Sequence, residues 1–164
     1  MKMSTKGLDA LISQFGKLEG STRKIAHEGL YKAAGIVADE VKKGLQSLPI
    51  QEDPDGTPPT IKEGEKYTGI TSKEKQSLID SMGVSPHRDS GKNISVSIGF
   101  SGTSPVVTNR FPGGVPNSAL MRGIESGTSV RRKHPVIRQA MNRVQKKAAE
   151  AAQQEIIKTI KKEV

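Results

Sequence analysis

Apolar residues recur at helical spacing over the first third of the chain. Leu8, Leu11, Ile12, Phe15 and Leu18 form an amphipathic stripe. Gly20-Ser21 predicts a break, with Ser21 capping a second helix through the backbone amide of Arg23 or Lys24. The second helix is predicted over about 22–48. Ile25, Leu30, Ala34, Val37, Val41, Leu45 and Leu48 line one face, and Lys24, Glu28, Lys32, Asp39, Lys42 and Lys43 the other. Pro49, which has no amide to give a helix, ends it. Residues 49–71 are acidic and rich in turn formers, and predict a long exposed loop with little structure of its own. Its Asp53, Asp55 and Glu63 lack the alternating spacing of a calcium-binding loop.

Ser72 is placed to cap a short helix carrying Leu78, Ile79 and Met82, closed by Gly83. Val84 to His87 reads as a short strand and Asp89-Ser90-Gly91-Lys92 as a turn. From Asn93 to Phe100 the pattern alternates, so that Ile94, Val96, Ile98 and Phe100 share a face, the signature of a half-buried antiparallel hairpin. Pro105 to Thr108 is a candidate edge strand within a second extended loop, 101–117. Ser118 to Glu125 fits a helical turn or a strand, and periodicity does not separate them. Gly127-Thr128-Ser129 breaks that element, with Gly127 expected at positive φ and Thr128 or Ser129 expected to accept an amide. Pro135 suits the first position of a final helix, whose apolar face is Ile137, Met141, Val144, Ala148, Ala151, Ile156 and Ile160 and which runs to about Lys162. Glu125 and Arg138 are expected to pair across the turn. The sum is one α+β domain over 1–164, with long N-terminal helices and a long C-terminal helix packed on a small antiparallel β-sheet.

Composition narrows the function classes. The chain has 164 residues, 33% hydrophobic, and only five aromatics, so a small core of Ile, Leu, Val, Met and Ala is expected. It has no run of 18 apolar residues, so no transmembrane helix is predicted. Asp9 and Gln14 interrupt the only early apolar stretch, and no secretory signal is read. The absence of Cys removes disulfides, Cys-ligated zinc, iron–sulfur clusters and thiol catalysis, and points to a reducing cytoplasm.

Charge is uneven. Of the net +9, residues 131–164 carry +7, with ten Lys or Arg against three acids. Arg131, Arg132 and Lys133 precede this basic C-terminal helix, and Arg143, Lys146 and Lys147 lie on it; these six are the candidate contacts to an acidic partner or DNA. Nucleic acid, an acidic protein surface and a solvated helix face all fit that charge. So few aromatics leave little for stacking single-stranded bases. His27, His87 and His134 fall on three different elements without an acid at ligand spacing, and neither glycine-rich stretch (64–69, 113–114) continues as a phosphate loop. No catalytic residue, cofactor or metal is therefore expected, and binding or assembly is favoured over chemistry.

Three stretches resemble the HK97 gp10-like family of tailed-phage neck and tail-completion (head–tail joining) proteins. Ala33 to Lys43 is similar to the family's opening helix, and Leu78-Ile79-Asp80-Ser81-Met82 with the strand to Phe100 is similar to its segment before a hairpin. Ile124-Glu125-Ser126-Gly127-Thr128-Ser129 followed by His134 to Ala140 resembles its most specific motif, matched at Glu125, Gly127, Thr128, Pro135, Arg138 and Ala140. Gly123, Ser126, Val136 and Gln139 stand where the family has Tyr, Phe, Phe and Pro. The resemblance implies a non-enzymatic virion protein, located in the neck or tail and in the host cytoplasm during assembly. Its implied partners are copies of itself in a ring around the DNA path, head connector or head-closure proteins, tail terminator or tail tube proteins, and non-specifically the packaged DNA. Membrane is not among them. The alternative from the residues alone is a small basic DNA-binding protein making non-specific phosphate contacts.

Overall fold

One helix of 41 residues, α1 (Lys6–Gln46), spans about 60 Å and organises the rest of the chain. The computed structural model describes residues 6–86, 88–89 and 94–163, with side chains for 21–86 and 94–162. His87, most of the predicted turn at 89–92 and the side chains of the Leu8–Leu18 stripe lie outside the described residues. Gly20 and Ser21 do not divide α1, so the two expected N-terminal helices are one, and Ser21 lies inside it. An interior glycine costs about 1 kcal/mol against Ala but removes no backbone donor, which a sufficiently long helix absorbs. The helix stops where Pro49 forces it to. Ser47 and Leu48 close the last turn with bonds to Lys43 and Leu45 carbonyls (3.1 and 3.2 Å), and Lys75 Nζ donates to the Gln46 carbonyl at 2.7 Å.

The second long helix, α4 (Val136–Glu163), runs antiparallel to α1. Glu28 faces Thr159, whose hydroxyl donates to its carboxylate at 2.8 Å, while Glu40 meets Arg143 near the other end. Two glycines set how closely the helices approach. A Cβ on Gly29 would lie 2.8 Å from Ile156 Cγ1, and one on Gly44 2.7 Å from Val136 Cγ1. The α1 face is the predicted one, with Ile25, Val37, Val41, Leu45 and Leu48 buried; Glu28, assigned to the polar face, is half-buried against Thr159. The middle of the α4 face is the predicted one, with Ala148 buried and Ile137 and Val144 packed against the core. At its ends Val136, Ala140 and Thr159 are buried, whereas Met141 and Ile160 are 45% exposed. A seam this tight favours alanine over the longer side chains beside it.

Between the long helices the chain forms α2 (Ser72–Ser81), β1 (Met82–Val84), β2 (Arg88–Asp89), β3 (Ile94–Ser95), β4 (Ile98–Phe100) and α3 (Asn117–Ser126). Strands pair antiparallel, Met82 with Phe100 and Val84 with Ile98, then Arg88 with Ser95 and Asp89 with Ile94. Between the two pairings the first arm has one residue more than the second, and Pro86 on that arm has no amide for the ladder. Burial alternates from Ile94 to Phe100 as predicted, with Ile94, Val96, Ile98 and Phe100 inward. The strand starts earlier than expected: Met82 turns out of the helix at ψ 129°, and Gly83 sits in β1 instead of closing α2. The architecture is α+β, about 54% helix and 12% strand.

Three loop expectations change. Residues 105–108 make no strand; Pro105 interrupts the ladder, and Ser104, Val106 and Thr108 bond back to Val115 and Phe111. The ambiguous 118–125 stretch is helical, within α3. The 49–71 loop is not structureless. Its base is stitched in parallel: Gln51 N to Ile70 O (2.9 Å), Ile70 N to Pro49 O (3.0 Å), Tyr67 N to Val130 O (2.8 Å) and Arg132 N to Tyr67 O (2.9 Å).

The α1–α4 seam gives opposite expectations for two glycines. Gly29→Leu forces a side chain into Ile156 and the Ala152 carbonyl and should cost about 1–3 kcal/mol, lowering the melting temperature. Gly35→Ala, at a position with open space around it, should raise stability by up to about 1 kcal/mol through helix propensity. Thermal unfolding of both variants checks the seam.

Candidate functional site

The residues singled out by the sequence converge on one corner, where α3 ends and α4 begins. α3 terminates because Gly127 adopts φ +76°, with its amide still bonded to the Gly123 carbonyl at 2.9 Å. A side chain there would also press on Lys133 and the Arg131 carbonyl at 3.2 to 3.3 Å. Thr128 Oγ1 accepts from the Val130 amide at 3.3 Å and Thr128 N donates to the Arg131 carbonyl at 2.9 Å, so the chain doubles back toward α4. Pro135 immediately precedes α4.

Glu125 does not pair with the Arg138 guanidinium. Its carboxylate instead accepts the backbone amides of Ile137 (2.8 Å) and Arg138 (3.0 Å). The first amides of a helix have no intrahelical acceptor and sit at the positive end of its dipole, so a carboxylate there satisfies two donors at once. The Arg138 side chain points to solvent, while Ala140 is 2% exposed in the core. Five of the six motif positions thus act on the fold directly: Glu125 caps, Gly127 and Thr128 turn, Pro135 launches and Ala140 packs.

Arg131 turns inward. Its guanidinium donates to Glu74 Oε1 at 3.0 Å and to the Gly69 carbonyl at 2.8 Å, and lies 5.8 Å from the centre of the Tyr67 ring. Glu74 is buried, and its other oxygen accepts the Thr71 amide at 2.8 Å while Thr71 Oγ1 accepts the Glu74 amide at 3.1 Å. That is a capping box at the start of α2, with Thr71 as the cap where Ser72 was expected. The spacing Thr-x-x-Glu in residues 71–74 carried this signal; nothing local announced Arg131, 57 residues away. Ser72 has another role, donating through both amide and hydroxyl to Glu52 at 2.7 and 2.8 Å. His134 Nε2 lies 2.7 Å from the Thr68 carbonyl, an acceptor only, so that nitrogen carries the proton.

The other five candidate cations, Arg132, Lys133, Arg143, Lys146 and Lys147, are exposed. Arg132 and Lys133 join Lys66 around an open hollow of about 480 Å³ beside Gly127 and Thr128. Arg143 borders a smaller cleft of about 140 Å³ between α1 and α4, with Glu40, Ser47, His134 and Gln139. Sequence reasoning missed a third junction. Asn117, 2% exposed, donates to the Ser101 carbonyl at 2.8 Å and accepts from Ser77 Oγ at 3.0 Å, tying α2, α3 and the 101–117 loop together. Among the described residues, no group of three or more His, Asp or Glu is placed to hold a metal ion, and no helix is long and apolar enough to cross a membrane.

Together these features define an α+β protein built on an antiparallel pair of long helices, with its loops locked by buried polar junctions and five of the six candidate cations outward. Comparison with known proteins yields no match among family models, curated proteins or solved structures.

Glu74→Gln keeps the capping geometry but leaves the Arg131 charge without its partner, and should cost about 3–5 kcal/mol. Arg132→Met, at an exposed neighbour, should change stability by no more than about 0.5 kcal/mol. Denaturant unfolding of the two variants separates an inward Arg131 from an ordinary surface cation.

The Ser72 amide, then its hydroxyl, and the charge of Lys73 hold the Glu52 carboxyl below its usual range; Thr57 does the same for Asp55 through its hydroxyl and amide. Because both folded values are lowered, these contacts are intact at neutral and mildly acidic pH and are lost as pH falls through them, below the ordinary range of about 4. The Ser72 amide shift, followed by NMR, should titrate with that low midpoint, and Glu52→Gln should abolish the titration.

Proposed function

We propose that this protein is a structural subunit of a tailed-phage neck, acting in tail completion or head–tail joining, which assembles with copies of itself as a ring around the DNA path. The observation that carries the reading is the α3–α4 corner. The residues matching the family's most specific motif, 125–140, gather at one junction and hold it through backbone capping, a positive-φ glycine and a buried alanine. Their spacing has a common structural setting, the turn from α3 into α4.

Three further features support an assembly role. The fold has a stiff antiparallel pair of long helices, suited to setting distances between neighbours. Its 101–117 loop carries Val107, 60% exposed, and Arg110 stacked 5.6 Å from the Phe111 ring centre, side chains suited to a neighbour's surface. The described histidine of the corner, His134, is committed to a backbone carbonyl within the fold. A ring needs head-to-tail interfaces that use two different faces of each subunit. The 101–117 loop, with Val107 exposed and Arg110 against Phe111, offers one such face.

The test is genetic and morphological. Inactivating the coding sequence in its phage should leave DNA-filled heads and complete tails that fail to join, and supplying the protein in trans should restore infectious particles. Normal, tailed, infectious virions from the inactivated phage would reject the reading.

A further inference from the structure

The outer surface of α4 carries cations in an order that the sequence count alone does not reveal. Arg143, Lys147, Glu150, Gln154, Lys158 and Lys161 follow one another at steps of 4, 3, 4, 4 and 3 and are all exposed, so they form one line along the helix. The line has a pattern: two cations, a stretch with no net positive charge, two cations. At 1.5 Å per residue, Lys147 and Lys158 stand about 16 Å apart along the axis. That distance is comparable with the span between the phosphate ridges flanking a B-DNA major groove about 12 Å wide. Near the C-terminal pair, Gln154, Ile157, Lys158, Lys161 and Lys162 line a shallow hollow of about 460 Å³.

We propose that this face of α4 binds duplex DNA without sequence preference, lying across the major groove with Arg143 and Lys147 on one phosphate ridge and Lys158 and Lys161 on the other. Charge complementarity and spacing identify the occupant. The surface has no aromatic anchor, its large apolar residue being Ile157 at 45% exposure, and its cations are of the kind that meet phosphates. The lack of any aromatic on α4 likewise leaves no stacking platform for single strands. The existing ion pairs do not compete strongly. Arg143 reaches Glu40 at 3.4 Å and Lys158 reaches Glu155 at 3.5 Å, and both cations are 61% exposed, where such pairs contribute little. Arg131 is excluded from this surface by its partner Glu74.

The inference rests on the neck reading only for where the duplex would be met in the virion; binding itself is a property of the isolated chain. Fluorescence anisotropy of the full-length protein with a random-sequence 30-base-pair duplex should show binding at 50 mM salt. With about four phosphates neutralised, the slope of log K against log salt should be near −3.6. The double variant Lys147→Glu/Lys158→Glu, one residue from each pair, should lose at least about tenfold in affinity. Arg122→Glu on α3 should stay within about twofold, and circular dichroism should show all variants equally helical. Absence of binding, an undiminished affinity in the double variant, or competition by poly-glutamate as effective as by duplex DNA would each overturn the proposal. The last result would assign the face to an acidic protein instead. None of these outcomes alters the tail-joining phenotype, so the two readings fail separately.

Discussion

A single buried carboxylate, Glu74, joins the start of α2 to the segment that leads into α4. One oxygen closes the cap of α2, the other takes the Arg131 guanidinium, and that guanidinium reaches back to the Gly69 carbonyl and Tyr67. Burying either charge alone is unfavourable, so the two must fold together. Once they do, residues 67–70 are held between 49–51 and 130–132, and the chain reaches Pro135 in the position from which α4 starts. The apolar seam of α1 and α4 places Val37, Val41, Leu45, Val136, Ala140 and Ala148 in the core, but this polar junction determines where the intervening segments attach to it.

Periodicity revealed the elements that burial dictates. The α1 face, the alternation from Ile94 to Phe100 and the Pro135 start of the last helix follow from one-face burial and from proline's missing amide, both local properties. What it could not show has a common cause. Gly20-Ser21 has the composition of a break, yet a helix tolerates such residues when nothing else takes up its amides. The shift at the start of the α4 face, where Val136 is buried, depends on Gly44 of a different helix, which leaves room for it. Residues 49–71 look like a solvated loop because their anchors, Arg131, Arg132 and His134, are more than 60 positions away from the segment's centre. The cap at Thr71 was the exception, since Thr-x-x-Glu was there to be read.

The candidate site divides along the same line. The expected partnership of Glu125 with Arg138 is real in position but not in chemistry: the carboxylate takes backbone amides and frees the guanidinium to face water. Of the six candidate cations, proximity in sequence grouped Arg131 with Arg132 and Lys133, while the fold separates them, one inward and two outward. The ordering of charge along α4 emerges only when helical rotation is applied, because Lys158 and Lys161 are far in sequence from the Arg143 and Lys147 that share their line.

The paired glycines of the seam bear on more than stability. Gly29 and Gly44 fix α4 against α1 near both of its ends, so the two rods have little freedom to swivel. Any body repeated about an axis multiplies its own angular error by the number of repeats before the circle meets itself. A subunit whose long axis wandered by a few degrees would close into circles of different sizes or into open spirals. In the ring proposed for this protein, two missing methyl groups, placed four helical turns apart, would act as a tolerance on curvature.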